Sequence, residues 1–495
     1  MVTKKYFYCI YDSMSFNMKI SFTGTTNIYA LSDTHQDTRK TSSLLSQILN
    51  DKQENSLVLN CGDIFKGVYS RDLERDVYLK LKEAKPDAEM IMTLGNNDFG
   101  FNQENLDYLV NTIKLFSEKG IQTVCSNVFE LSGKRPQWLK PYSIVDIDGD
   151  RTFVTGMCID NINTRKMGLI PKKSTEVVDE IVEAIKIEKP DNIILLNHDY
   201  KPSSQNLAKE FKNKGVNIDL IIGGHDHDCV PADTQLNIYH PQPFAKSMYK
   251  MKLINSKNNK ELQDVQEIMG NHYVSDLFEE SLAEYEDAVK LNATIAKSTL
   301  DLPKRYSAPG ALGSFLADEM VKIADADIGF VSTGFIMQPL HYKKNGNITN
   351  YDLMKTICAE TPIHTVKLTA YELKNVFNNA FAKYGYNESN PKFLQCSNNV
   401  KITGKNNIEQ NIFEVEQIYI NDNPLFDKNG KSDLIIKCAI DDYIANGGQG
   451  NTFLQNTPKT LVNIPINSIL INGLKKAEYT YDVGTKYPAF EIIKI

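Results

Sequence analysis

Residues 27–35 read NIYALSDTH, an apolar run that breaks abruptly into Asp33, Thr34 and His35. The same form recurs four times. SLVLNC (56–61) runs into Gly62-Asp63, and AEMIMTL (88–94) into Gly95-Asn96-Asn97-Asp98. NIILLN (192–197) runs into His198, and IDLIIGG (218–224) into His225-Asp226-His227. Short apolar runs bounded by turn residues read as buried strands. Between them lie TSSLLSQILNDKQ (41–53), DLERDVYLKLKEA (72–84) and VVDEIVEAIKIE (177–188), whose apolar positions return every three or four residues. That spacing predicts amphipathic helices, and strand–helix–strand alternation predicts an α/β domain on a buried sheet.

The carboxyl ends of strands in such a sheet open on one crevice, so residues some 30 positions apart can meet there. Four of the chain's eight histidines lie in these five clusters. The candidate metal-ligand set is Asp33, His35, Asp63, Asn96, His198, His225 and His227. Strand-end turns and helix caps use the same residue types, but five such clusters, each after a strand, exceed what turns alone require. Seven ligands are too many for one tetrahedral ion and suit two divalent ions that share a carboxylate. Mixed nitrogen and oxygen donors favour manganese, zinc, iron or cobalt over calcium. Two such ions clamp a phosphoryl group and activate its attacker.

The whole chain is 495 residues, 41% hydrophobic and 24% charged, the balance of a folded protein with two or three domains. Lysine and arginine number 55 against 62 acidic residues, a net charge of −7. That balance disfavours binding to long nucleic acid, and with it a nuclease acting on long chains. No apolar run is long enough to span a bilayer. Asp12, Ser13, Ser15 and Asn17 interrupt the apolar character of the start, so a secretory signal is not expected. Eight scattered cysteines, without a C-x-x-C pair, read as free thiols of a reducing compartment, and the expected location is cytoplasmic. The expected organisation is an extension over 1–17, a first α/β domain over 18–270, a helical linker over 271–300 and a second domain over 301–495.

The order D-x-H, G-D, G-N-x-D, N-H and G-H-x-H resembles the calcineurin-like metallophosphoesterases. The stretches DADIGFVSTGFI (325–336), NGNITNYDLMKTICAETP (345–362), KLTAYELKNVFNNAFAKYG (367–385), KFLQCSN (392–398) and DDYIANGGQGNTF (441–453) follow the layout of the 5′-nucleotidase carboxy-terminal domain. The pairing resembles a divergent member of the 5′-nucleotidase and 2′,3′-cyclic-nucleotide phosphodiesterase family. This resemblance implies a four-layer α/β/β/α sandwich followed by an α+β substrate domain. It implies one ion on Asp33, His35 and His227 and a second on Asn96, His198 and His225, with Asp63 bridging. Asn96 would also help position the nucleophile.

The sequence departs from the family on the reacting side. Family members usually read G-N-H-E-F-D, whose histidine and final aspartate form a dyad; here Asn97 and Gly100 stand in those places. Loss of a general acid typically costs about 10²–10⁴ in rate, most for strongly basic leaving groups. Met337 stands where the family carries a substrate-binding arginine, and Ile363 and Asn451 stand where it carries base-stacking aromatics. Stacking is worth about 1–3 kcal/mol per base, so nucleoside selectivity weakens. Arg305 lies near the family's upstream arginine without matching it, and Phe335 and Phe453 are candidates for a displaced stacking face. Asn446, Gly447, Gly448 and Phe453 are the candidate substrate-binding residues, with Asn96 and Asn97 on the catalytic side. Asp37 reads as a helix N-cap, His240 as a surface or packing residue, and Cys61 as a small buried one. His341 and His364 are secondary candidates for the missing proton donor.

The function that follows is a two-metal phosphoester hydrolase acting on a small phosphorylated compound. That compound is nucleotide-like, with diesters and pyrophosphates among the candidates. The alternative is an impaired nucleotidase-like binding or assembly protein that keeps the metals.

Overall fold

The computed structural model describes residues 24–100, 102–159, 164–165, 167–227, 230–256, 259–297, 308–340, 347–357, 361–381, 393–407, 412–477 and 491–494. The expected extension over 1–17, Arg305 and His341 lie outside them.

The first domain begins with β1 (Gly24–Leu31), α1 (Thr38–Asn50), β2 (Ser56–Asn60), α2 (Arg71–Ala84), β3 (Glu89–Met92), α3 (Gln103–Glu118) and β4 (Ile121–Thr123). It continues with β5 (Tyr142–Ile147), β6 (Asp150–Cys158), α4 (Val178–Glu188), β7 (Asn192–His198), α5 (Lys201–Asn213), β8 (Leu220–Gly223) and β9 (Ile238–Tyr239). A hairpin of β10 (Ser247–Ser256) and β11 (Asn259–Met269) closes it. Two sheets result, ordered β11-β10-β1-β2-β3-β4 and β9-β8-β7-β6-β5. From β1 to β4 the pairing is parallel, as it is from β6 through β9. Every one of these parallel strands therefore aims its carboxyl end the same way within its sheet.

The strands that read as unbroken apolar runs are buried on both faces. Ile28, Leu57, Leu59 and Ile91 of one sheet meet Val154, Ile194, Leu196 and Ile222 of the other in a shared core. Helices α1–α3 cover the outer face of the first sheet, and α4 and α5 that of the second. The layers run α/β/β/α, the order the resemblance implied. Local chemistry starts the helices where the sequence places them. Ser70 accepts a hydrogen bond from the Leu73 amide at the start of α2, and Asn102 from the Asn105 amide at the start of α3.

Within 271–300, α6 (Asp276–Ala288) packs on the first domain. Phe278, Leu282 and Leu291 are fully buried in the core that holds α1 and α2, each burial stabilising by about 1.5–3 kcal/mol. Arg39 of α1 donates to both carboxylate oxygens of Glu279 at 3.0 Å. The next strand, β12 (Thr294–Lys297), instead pairs with β14 (Asn347–Thr349) of the second domain.

That domain contains α7 (Ala311–Ala324), β13 (Ile328–Ser332), α8 (Asn350–Thr356), β15 (Pro362–Thr369), α9 (Ala370–Phe381) and β16 (Leu394–Cys396). After them come β17 (Val400–Asn407), β18 (Ile412–Ile420), β19 (Ile435–Asp441), α10 (Asp442–Ala445), β20 (Lys459–Pro465), α11 (Ile466–Ala477) and β21 (Glu491–Lys494). Its main sheet is ordered β16-β13-β19-β15-β20, and β17 pairs with β18 and β21 in a second sheet. Phe377, Phe381, Phe393 and Phe413 fill the core between them. Phe335 is only 7% exposed and belongs to the adjoining core, so it offers no displaced stacking face: a ring turned into the apolar interior has no surface left for a base.

Candidate metal centre

The loops after β1, β2 and β8 and the last residue of β7 bring six of the seven candidate ligands together. Donor atoms of Asp33, His35, Asp63 and His227 lie within 4.8 Å of one another, and so do those of Asp63, His198 and His225. Asp63 belongs to both groups, the geometry of a shared carboxylate. His198 Nε2 stands 3.4 Å from Asp63 Oδ2, and His227 Nε2 3.4 Å from Asp33 Oδ1. Asn96 is joined to the cluster through its neighbour: the Asn97 amide donates to Asp63 Oδ1 at 2.7 Å.

The chain holds these residues in a conformation that β-carbons disfavour. Asp33, His35, Asp63 and His225 have φ of 48°, 49°, 54° and 70°. Aspartate and histidine tolerate the left-handed region better than branched residues do, and such strain persists only where the surroundings enforce it. Here the enforcement is explicit. The Asp33 amide bonds the Gly62 carbonyl at 2.9 Å and the His35 amide the Asp63 carbonyl at 3.0 Å, which laces the first two loops together. His225 N–H donates to the Asp33 carboxylate at 3.0 Å, and Ser32 Oγ donates to it at 2.6 Å. Phe244 stacks on His35 with ring centroids 5.0 Å apart. Gly95 is required by the approach of the third loop, since a β-carbon there would stand 2.2 Å from Asp63 Oδ1.

Ring orientation identifies the side of each imidazole left for a cation. His198 Nδ1 donates to the Cys61 carbonyl at 2.7 Å, which turns its Nε2 into the cluster. His35 Nδ1 is paired with the Lys66 carbonyl at 3.2 Å, and its Nε2 faces His227 Nε2 at 2.8 Å. Such outer partners commonly fix the tautomer of a metal-binding histidine. His198 Nε2 and His225 Nδ1 are buried with no hydrogen-bond partner among the described residues. Orphaned buried nitrogens are costly unless something occupies them, so the donor set fits divalent cations. Burial, with the charge of His198, pushes His225 down to about 3, which keeps it a neutral imidazole. Burial also opposes charge on His198, but Asp63 and Asp33 outweigh it and push that group up to about 10.

Residues outside the predicted set hold the loops. Asp98 accepts from the amides of Asp63, Ile64, Phe65 and Gly95 at 2.7–2.9 Å. Glu74, fully buried in α2, accepts from the hydroxyls of Thr34, Thr38 and Thr41 and so steadies the loop that carries Asp33 and His35. Burial pushes its carboxyl up to about 7 against those three donors. Lys66 donates to Asn97 Oδ1 at 2.8 Å, and Asn97 Nδ2 donates to Asp63 Oδ2 at 2.6 Å. Only the Asp98 position belonged to a recognised motif; a lone glutamate on a helix or a lysine in a turn carries no local signal.

Asp37 corrects a sequence expectation. It stands before α1 with ψ of 60°, but its side chain makes no cap bond. Tyr351 of α8 donates to both its oxygens at 2.9 and 3.0 Å, and Lys40 lies 2.8 Å away, so a charged, tyrosine-bridged contact to the second domain outcompetes capping. His240 is buried, with Nδ1 3.4 Å from Asp226, rather than at the surface. Cys61 is fully buried, and the five described cysteines are free. His364 bonds Asp442 at 2.9 Å within the second domain. Asn446 donates to the same carboxylate at 2.8 Å, Gly447 adopts φ of 90°, and Phe453 packs half-buried on the core. Asn446, Gly447, Gly448 and Phe453 do not line the crevice beside His35.

Gly100 explains why the dyad is not restored by one change. It has φ of 70°, and a β-carbon there would lie 2.3 Å from that of Asn105 in α3. Gly100→Asp should therefore lower stability by about 1–3 kcal/mol. Denaturant titration checks this, and an unchanged midpoint would refute it.

The fold and this cluster define a metallophosphoesterase. A family model for calcineurin-like phosphoesterases matches residues 26–229, and one for the 5′-nucleotidase C-terminal domain matches residues 289–456. The chain belongs to the calcineurin-like phosphoesterases that carry a 5′-nucleotidase C-terminal domain, a family of metal-dependent hydrolases. It is 22% identical over 463 residues to a 5′-nucleotidase of Diplobatis ommata, covering 82% of this chain and 77% of that one. An Aedes albopictus apyrase is 28% identical over 242 residues, 46% of this chain and 39% of the apyrase. The structure of a 5′-nucleotidase precursor from Thermus thermophilus superposes with a TM-score of 0.76 at 17% identity, over 95% of this chain and 100% of that one, and so shares the fold. Among the described residues, no helix is long and apolar enough to cross a membrane.

Proposed function

We propose that this phosphoesterase acts on small, nucleotide-like phosphorylated compounds, diesters and pyrophosphates among them, and favours weakly basic leaving groups such as those of pyrophosphates and aryl esters. Two divalent ions would be held, one by Asp33, His35 and His227 and one by Asn96, His198 and His225, with Asp63 between them. The observation that carries the reading is the double membership of Asp63 in two groups of donors, beside buried imidazole nitrogens that have no hydrogen-bond partner among the described residues. When bound, such ions polarise the phosphoryl oxygens and activate the attacking water. The ions expected are manganese, zinc, iron or cobalt.

The preference for weakly basic leaving groups rests on Asn97. Its Nδ2 donates to Asp63 and its Oδ1 is taken by Lys66, so the amide serves to orient the shared carboxylate. An amide is no acid, and a departing alkoxide receives no proton from it. The second domain would supply recognition, with Asn446, Gly447, Gly448 and Phe453 as its candidate contacts. The five described cysteines are free and buried, which favours a reducing compartment such as the cytoplasm.

The test is hydrolysis of bis-(p-nitrophenyl) phosphate, p-nitrophenyl phosphate and glycerol phosphate with Mn²⁺, with Zn²⁺ and with chelator. Aryl substrates should turn over only with metal, and glycerol phosphate should be slower by about 10² or more. No turnover by protein carrying two ions per chain would overturn the reading and favour a binding protein.

A further inference from the structure

Met337, which stands where the family carries an arginine, lines a crevice, and Asn97, which stands where it carries a histidine, is bonded by a lysine that lines the same crevice. It opens between the domains beside His35, has about 10 Å³ of room as it stands, enough for one water, and is lined in part by Phe244, Met337 and Met354. Met337, at the place of the family's arginine, is apolar, and Asn97, at the place of its histidine, is neutral. Yet the same crevice is lined by Lys66 from the first domain and Lys355 from α8 of the second.

Each lysine is built into the cluster rather than loose on the surface. The Lys66 carbonyl pairs with His35 Nδ1, while its ammonium reaches Asn97, whose amide in turn bonds the shared Asp63. The backbone and the side chain of one residue therefore bracket the metal centre. The Lys355 ammonium lies over the Tyr351 ring at 4.9 Å and 3.9 Å from Asp37. Asp37 is already engaged by Lys40 and by the Tyr351 hydroxyl, so it neutralises Lys355 only in part. Two flexible ammonium groups beside a metal cluster match a tetrahedral dianion, for which lysine acts as a point charge.

We propose that Lys66 and Lys355 form a phosphoryl-binding pair, one from each domain, that replaces the cationic groups missing at Asn97 and Met337. This rests on the phosphoesterase reading and adds to it the residues that grip the substrate's phosphate. The crevice as it stands has room for about one water, so a phosphate enters as the two long lysine stems swing outward.

Calorimetry of inorganic phosphate binding to Mn²⁺-loaded protein tests it without recourse to turnover. Lys66→Met and Lys355→Met should each weaken phosphate about tenfold or more, the loss of one charge-assisted hydrogen bond. Lys66→Arg and Lys355→Arg should stay within about threefold, and metal content by elemental analysis should match wild type in all four. Phosphate affinity within about twofold of wild type in both methionine variants would overturn the pair, as would absence of phosphate binding by the wild type. A wild type that binds phosphate through these lysines but hydrolyses nothing would refute the activity and leave the pair standing. Loss of affinity in the arginine variants equal to that in the methionine variants would mean packing, not charge, and would also overturn it.

Discussion

Asp63→Asn should abolish hydrolysis and leave the protein folded. Asparagine has the shape of aspartate and tolerates the left-handed backbone that Asp63 adopts at φ of 54°. What changes is charge: the carboxylate common to both donor groups becomes a neutral amide. In the native cluster burial works against that carboxylate, but His198 and His35 outweigh it and hold its pKa well below the usual range. The variant also sets an amide nitrogen against one of the two donors from Asn97. Phosphoryl charge stabilisation by metal is worth several kcal/mol, so losing about 4 kcal/mol of it reduces kcat/KM by roughly 10³ or more. Bound metal should fall from two ions per chain to one or fewer. Elemental analysis and a steady-state assay report the two effects separately, and wild-type turnover in this variant would sink the assignment of Asp63.

Asp98→Ala should have the largest effect on stability. The carboxylate is 1% exposed and receives four backbone N–H donors, three from the loop that carries Asp63 and one from Gly95. Alanine leaves all four buried and unsatisfied, at about 1–3 kcal/mol each. A loss of at least about 4 kcal/mol is a large part of the 5–15 kcal/mol by which domains are stable. The first domain should therefore melt many degrees lower, and metal affinity should fall because Asp63 and Asn96 lose their shared anchor. Asp98→Asn should be intermediate, since its remaining oxygen still serves Ile64 and Phe65 while its amide nitrogen opposes Asp63 and Gly95. Calorimetric unfolding of the three proteins checks the order. An alanine variant within a few degrees of wild type would show that water reaches those amides.

The contrast between these two residues shows how far the chain can be read before it is folded. Asp63 was legible because its signal is local and repeated: an apolar strand, a turn, and a ligand-type side chain, five times in one order. Parallel pairing then obliges the strand ends to converge, which is why Asp33, His35, His198, His225 and His227 meet it. Asp98 was legible as part of a motif, but its task was not, because four amides from two loops converge on it only when β2 and β3 lie side by side. Glu74 had no signal at all. A glutamate in the first turn of a charged helix resembles a solvated residue, and only the packing of α1 on α2 turns it toward three threonines.

Asp37 and the two lysines mark the same boundary from the other side. A cap is a contact between neighbours in sequence, so Asp37 before α1 invited that reading; the tyrosine that claims it is 314 residues away. Lys66 and Lys355 are separated nearly as widely, and each reaches the crevice on a long flexible stem whose direction depends on what surrounds it. The amino-acid sequence by itself determined the strand-end chemistry and the candidate ligand residue types, because these depend on residue identity and short-range periodicity, and its resemblance to the family exposed the missing dyad. Tertiary structure alone decided which groups stand in for what was lost, because that depends on distances between elements that no local pattern encodes.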